Sequence, residues 1–257
     1  MGFNDTNIRW TDKTWNPVHG CSKTSEGCAN CYAERVSRKF GNTDNPWTVE
    51  HAAENIQIKE HYLNDRLHEP NWVFVNSMSD LYHDRVPDSF ITSVYDALRE
   101  MPECAFQILS KHGADTERDI PHPPDNVMLG VSCESPGRRY RLDWLREQPA
   151  MTKFVSFEPL VECIPGVDLT GIDWAIIGGE SGPDHRPMDP GWARNLLRSC
   201  KRQDVAVFFK QHSDFKTETR QTIEYHGKTR RFEEFPELPA GVLPKPKKHL
   251  NKRAVLG

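Results

Sequence analysis

The chain has no uninterrupted apolar run near the roughly 20 residues that a membrane-spanning helix needs, so no membrane partner is expected. Its first residues, Met1-Gly2-Phe3-Asn4-Asp5, carry neither the basic stretch nor the apolar segment of a secretory signal, and a cytoplasmic protein is the expectation. No glycine-rich phosphate loop, no Ser-His-Asp order and no H-E-x-x-H is present, so the corresponding hydrolase classes have no motif behind them. Internal repeats and low-complexity segments are absent too. Hydrophobic residues are only 37% and mean hydropathy is -0.70, low for a globular chain but too apolar for a disordered one. There is no excess of positive charge: the net charge of -4 over 257 residues argues against bulk electrostatic attraction to nucleic acid. Cysteine is present seven times; an odd number without an export signal excludes a disulfide framework.

The charge that is present is unevenly spread. Residues 1–210 hold 23 basic and 31 acidic side chains, whereas residues 211–257 hold 10 and 6, with five basic residues and no acid over 245–253. This C-terminal stretch is either a solvated tail or an arm that contacts nucleic-acid phosphates. Prolines at 236, 239, 244 and 246 predict an irregular extension over 213–257, with at most a hairpin whose strands lie near 222–225 and 229–232 around His226-Gly227.

Over residues 1–212 short apolar runs alternate with longer amphipathic stretches. The runs lie at 72–75, 105–109, 127–131, 153–157, 174–177 and 205–209, and their continuous apolarity predicts strands buried on both faces of a parallel sheet. Helices are predicted over 88–101, with Asp88 as N-cap, over 136–147, and over 189–202, where Asp189-Pro190 is a cap followed by proline in the first turn. One more strand is predicted near 15–18. The pattern is α/β, a full or partial (β/α) barrel, with a doubly wound sheet as the alternative. The residues just after the runs are polar: Ser77 and Asp80, Lys111, Ser132 and Glu134, Glu158, Gly178-Gly179-Glu180, and Lys210. Parallel α/β folds gather these strand ends around one pocket, where the acids either bind a ligand or pair with Lys111, Arg186 and Lys210.

Cys21, Cys28 and Cys31 fall within eleven residues in a C-x6-C-x2-C pattern, with Gly20 and Gly27 giving the loop freedom and a helix predicted to start near Cys31 with Tyr32, Ala33 and Val36 facing inward. Three readings stand side by side. Three thiolates can hold three irons of a [4Fe-4S] cluster and leave the fourth iron open; with His19 they can close a tetrahedral zinc site; or they are unliganded thiols. The remaining cysteines, at 104, 133, 163 and 200, are isolated in sequence and read as buried thiols. His83 and His185 are candidate acid–base groups or surface residues. Of the tryptophans, Trp47 reads as a loop residue and the others as packing.

The stretches Trp10-Thr11-Asp12, Trp15-Asn16-Pro17, Gly20-Cys21, Cys28 to Glu34, Phe74 to Leu81, Leu129 to Ser132, Ser156 to Leu160, Ile177 to Gly182, Arg186 to Met188 and Phe209 to Gln211 together resemble the three-cysteine-motif phage protein family, which is radical-SAM-like. The resemblance runs from about residue 8 to 212. It implies a radical-SAM/TIM-type barrel and a [4Fe-4S] cluster on Cys21, Cys28 and Cys31. It also implies S-adenosyl-L-methionine as cofactor, cleaved to a 5′-deoxyadenosyl radical, and an external electron donor. The cofactor-binding candidates are Ser77, Asp80, Ser132, Glu134, Glu158, Gly178, Gly179, Glu180 and Lys210; Gly178-Gly179-Glu180 looks like the motif that contacts the methionyl amino group. The sequence departs from the commonest radical-SAM pattern in a first gap of six residues and in Asn30 where an aromatic precedes the third cysteine. The expected substrate is a small molecule, a nucleotide or a phage DNA base. The alternatives are a zinc-bound nucleic-acid-binding module using the basic tail and a non-catalytic iron-sulfur partner protein.

Overall fold

A computed structural model describes residues 2–236; the basic stretch at 245–253 and the prolines at 239, 244 and 246 lie outside the described residues. The strands are β1 (Phe3–Asp5), β2 (Lys13–Trp15), β3 (Val18–His19), β4 (Gln57–Ile58), β5 (Trp72–Val75), β6 (Ala105–Ser110), β7 (Val127–Ser132), β8 (Thr152–Phe157), β9 (Trp174–Gly178), β10 (Ala206–Gln211), β11 (Ile223–Tyr225) and β12 (Lys228–Arg230). The helices are α1 (Tyr32–Lys39), α2 (Ala52–Asn55), α3 (Asp88–Arg99), α4 (His112–Asp115), α5 (Tyr140–Glu147) and α6 (Pro190–Arg202).

All six apolar runs are strands of one sheet, in the order β1-β2-β5-β6-β7-β8-β9-β10. β1 is antiparallel to β2 and every later neighbour is parallel. From β5 onward the spatial neighbour is always the next strand in sequence. A doubly wound sheet reverses its winding at a switch point; this one never does, which rules out that alternative. The order is linear, with β1 at one edge and β10 at the other, so the eight-stranded sheet is an open (β/α) arrangement; the outer side of β10 is taken by residues 232–234.

The sheet is nonetheless strongly curled. Trp72 on β5 and Trp174 on β9 are four inter-strand steps apart, about 19 Å in a flat sheet, yet their ring centroids are 6.0 Å apart. Strand alternation sorts the side chains accordingly. Val73, Val75, Ile108, Leu129, Val155, Ile177 and Phe209 point outward into the helix-covered core. Trp72, Phe74, Ala105, Met128, Phe154, Trp174, Ile176 and Phe208 point inward, where Trp10 joins them.

The lower, N-terminal end of the strands is sealed by both ends of the described chain. Phe208 and Glu233 form an antiparallel bridge, Glu234 N donates to Val207 O at 3.0 Å, and Trp174 Nε1 donates to Glu234 O at 3.0 Å. The Phe235 ring lies 5.7 Å from Trp72 and 6.0 Å from Trp174. Arg9 reaches across to pair with Glu233 and to donate to Gln221. The expected hairpin is present as β11–β12; His226 (φ 51) and Gly227 (φ 71) have the paired positive φ of a two-residue type I′ turn.

Some local expectations need correction. Pro87, in extended conformation, is the N-cap of α3, and the Asp88 carboxylate inside the helix goes to Arg118 at 2.5 Å. At α6 the expected cap is found, with Asp189 accepting from Gly191 N at 2.6 Å. The strand predicted near 15–18 is broken by Asn16-Pro17 into β2 and β3, because proline has no amide to continue the ladder. Trp47 lies in a loop, as expected, and is buried there, donating to Thr43 Oγ1 at 3.0 Å.

Candidate functional site

The open, upper end of the curled sheet is the C-terminal end of its parallel strands. A cavity of about 520 Å³ lies there, and Cys21, Cys28 and Cys31 all line it. Ser77, Asp80, Ser132, Glu158, Gly179, Glu180 and Lys210 line it as well. Glu134 and Gly178 stand directly behind that wall: Glu134 Oε1 accepts from Ser25 Oγ of the cysteine loop at 2.6 Å, and a Cβ on Gly178 would lie 3.2 Å from Glu158 Oε1. Gly179 serves close approach, since a Cβ there would sit 2.3 Å from Ser213 N.

The acids are paired as the sequence reading allowed. Glu158 meets Lys210 at 2.6 Å, Glu180 meets Arg186 at 2.7 Å, and Glu134 meets Arg141 at 2.9 Å and Lys111 at 3.5 Å. Burial pulls the Lys111 pKa down, but the Glu134 carboxylate together with negative charge at Cys28 and Cys31 outweighs it and moves it up. Asp80 accepts from Ser110 Oγ and from the backbone amides of Tyr82, Lys111 and His112, all within 3.1 Å. Its role is to fix the turn after β6 against the loop after β5.

Three elements hold the cysteine loop. Arg141, wholly buried on α5, donates to Glu134, to Asp115, to Ser132 O and to Thr24 Oγ1 in the loop. Asn30 donates to Glu180 Oε2 at 3.0 Å. Cys31 is the N-cap residue of α1. Of the residues expected to face inward at the start of α1, Ala33 is buried and Tyr32 is not: it is 42% exposed, lines the cavity, and donates to Ser77 O at 2.6 Å.

The thiols feel one another. Burial pushes the Cys21 pKa well up, and negative charge at Asp80, Cys28 and Cys31 pushes it further. Burial also raises Cys31, with Cys28 adding to it, while the amides of Ala33 and Glu34 and the Lys111 ammonium pull the other way. Three thiolates here repel in a low-dielectric pocket and become favourable only around a compensating cation. Among the described residues no three His, Cys, Asp or Glu side chains stand at metal-holding separation, so the donors share a wall without a preformed coordination sphere.

His19, the candidate fourth zinc ligand, is on β3 beside Lys59 and does not line the cavity. The nitrogen beside the thiols is instead His112 Nε2, 3.4 Å from Cys21 Sγ, a residue one position past the Ser110-Lys111 strand end. His83 backs it, ring centroids 4.2 Å apart, and meets Ser22 Oγ at 2.8 Å. Two buried donors on the cavity wall, Trp10 Nε1 and Asn76 Nδ2, have no hydrogen-bond partner among the described residues. Buried N–H groups without a partner carry a cost that a bound acceptor relieves.

Fold and site together define an α/β protein with a singly wound, curled parallel sheet and a thiol-lined cavity at its strand ends. The chain belongs to the family described as "Protein of unknown function (DUF5131)", whose profile matches residues 5–239. No curated protein and no solved structure matches it.

Proposed function

We propose that the chain is a radical S-adenosylmethionine enzyme whose Cys21, Cys28 and Cys31 hold a [4Fe-4S] cluster, and that its curled sheet is a partial barrel of the radical-SAM type, as the resemblance to the three-cysteine-motif phage family implies. The observation that carries this reading is that these three cysteines, and no fourth, are on the wall of one cavity at the strand ends. A three-thiolate donor set leaves one iron free for a cofactor. Cys21, Cys28 and Cys31 would hold the cluster, which when reduced would supply the electron for reductive cleavage of S-adenosylmethionine.

The chain's own groups bind, orient and exclude water. Trp10 Nε1 and Asn76 Nδ2, without partners among the described residues and on the cavity wall, suit cofactor acceptors. Ser77, Ser132, Glu158 and Glu180, with Gly178 and Gly179 opening the backbone beside them, suit ribose hydroxyls and the methionyl ammonium, and Lys210 its carboxylate. Phe74 and Leu109 beside Trp10 form the apolar wall that keeps solvent from the reacting atoms. An external electron donor and a cytoplasmic setting complete the reading. A second reading, a zinc site, is favoured by His112 Nε2 beside Cys21 Sγ.

The test is anaerobic reconstitution with iron and sulfide, followed by metal analysis, absorbance and, after chemical reduction with S-adenosylmethionine, measurement of 5′-deoxyadenosine. About four irons per chain with cofactor cleavage is the expected result, and the Cys21, Cys28 and Cys31 triple alanine variant should lose both. One zinc per chain without sulfide would replace the proposal with the zinc reading, and a cluster without cleavage would leave an iron-sulfur partner protein.

A further inference from the structure

Beside the cysteine cavity lies a second concavity of about 650 Å³, whose lining includes Lys23, Arg35, Arg38 and Lys39 together with Glu34, Asp44 and Asp184. Lys23, Asn30, Cys31 and Arg35 belong to both walls, so the two spaces adjoin at the third cysteine. The cations are not equally free. Lys23 is taken by Glu34 at 2.9 Å, and Lys39 lies 5.7 Å from the Phe40 ring centroid. Arg35 and Arg38 are exposed, and among the described residues neither has a carboxylate partner. Arg35 lies across the junction because Gly182 lets it: a Cβ at Gly182, where φ is +124°, would sit 2.4 Å from Arg35 Nη1. In a chain with more acids than bases over residues 1–210, two unpaired guanidinium groups at a cavity mouth stand out. Apolar rings accompany them. Tyr32 and Phe215 line the cysteine cavity and are 42% and 62% exposed, and Phe40, at the end of α1, is 70% exposed.

Cations along one concavity, with exposed aromatic rings in the cavity that shares its wall, are what a flexible polyanion with flat bases needs: guanidinium on phosphate, rings under bases. We propose that this groove binds single-stranded nucleic acid, with phosphates on Arg35, Arg38 and Lys39 and one base carried past Arg35 into the cysteine cavity against Tyr32 and Phe215. An unpaired strand is specified because a base inside a duplex cannot reach a recessed wall without leaving its stack. The inference names the substrate class of the proposed enzyme and rests on that reading only for what befalls the base.

Binding is measured on the full chain without iron, by fluorescence anisotropy of a labelled single-stranded DNA of about 12 nucleotides across a salt series. A negative outcome here therefore leaves the cluster test untouched, and failure of the cluster leaves this titration untouched. The R35A/R38A variant should bind at least about tenfold more weakly at low salt. Its log–log salt slope should be shallower by about 1.4, the expectation for two lost single-strand phosphate contacts. The R198A/R202A variant, which removes the same charge from the exposed face of α6, should match the unaltered protein. A 2-aminopurine base in the strand should be quenched on binding and regain fluorescence with Phe215→Ala. Absence of binding, an unchanged R35A/R38A titration, equal loss in the α6 control, or duplex DNA or a mononucleotide bound as tightly as the strand would each overturn the proposal.

Discussion

His83 is buried against His112 and beside the cysteine loop, and burial with that neighbour holds its pKa down at about 4. An unfolded chain takes up this proton near pH 6.5, so between those values the unfolded state binds more protons and stability falls as pH is lowered. We predict a decline of order 2–3 kcal/mol in unfolding free energy from pH 7 to 4.5, read by urea titration, and a shallower decline in His83→Gln. Below pH 4.5 Glu26 adds to the loss, because its hydrogen bonds to Arg138 hold its carboxyl at about 2. At this scale the sequence spoke clearly for the three cysteines, whose spacing is itself a chemical statement. It was silent on His112 and Arg141, because each gains its role from a partner distant in the chain: Cys21 for the histidine, Glu134 and Asp115 for the arginine. His19 sits closer to the thiols in sequence and drew the expectation, whereas the histidine beside Cys21 is His112.

The cysteine loop is an element without regular structure of its own, held by groups from α5, β7 and the turn after β9. Gly27 packs so tightly that a Cβ there would lie 2.3 Å from Glu134 Oε1. Arg141→Met removes the guanidinium that joins Thr24, Asp115 and Glu134, taking from Asp115 its cation and leaving Glu134 with Lys111. It should cost about 3–5 kcal/mol in denaturant unfolding, and Arg141→Lys should recover only part of it, since an ammonium lacks the planar fork. The strands from β5 to β10 were legible as elements because burial on both faces writes an uninterrupted apolar run. β1 and β4 were not, each being only two or three residues long, below the length at which alternation becomes a pattern.

For the whole molecule, the winding was readable from the alternation of runs and helices, whereas the curl was not. Curvature is set by which rings meet on the inner face, and Trp10, Trp72, Trp174 and Phe235 come from four distant places in the chain. Phe235→Ala should therefore destabilise the whole domain, by about 2–3 kcal/mol, below the cost of truncating a fully buried phenylalanine. Thermal unfolding checks this, with the hairpin and sheet expected to melt together. Phe235 also sets an order of assembly. The strands from β5 on can pair as they leave the ribosome, each finding its partner in the segment just made. The pairing of Arg9 with Glu233, and the ring that covers Trp72 and Trp174, must wait until nearly the whole described chain has been synthesised. Until then the tryptophan-lined interior stands open at its base, so a nascent chain holding its strands but not yet residues 232–235 displays the apolar surface that chaperones bind.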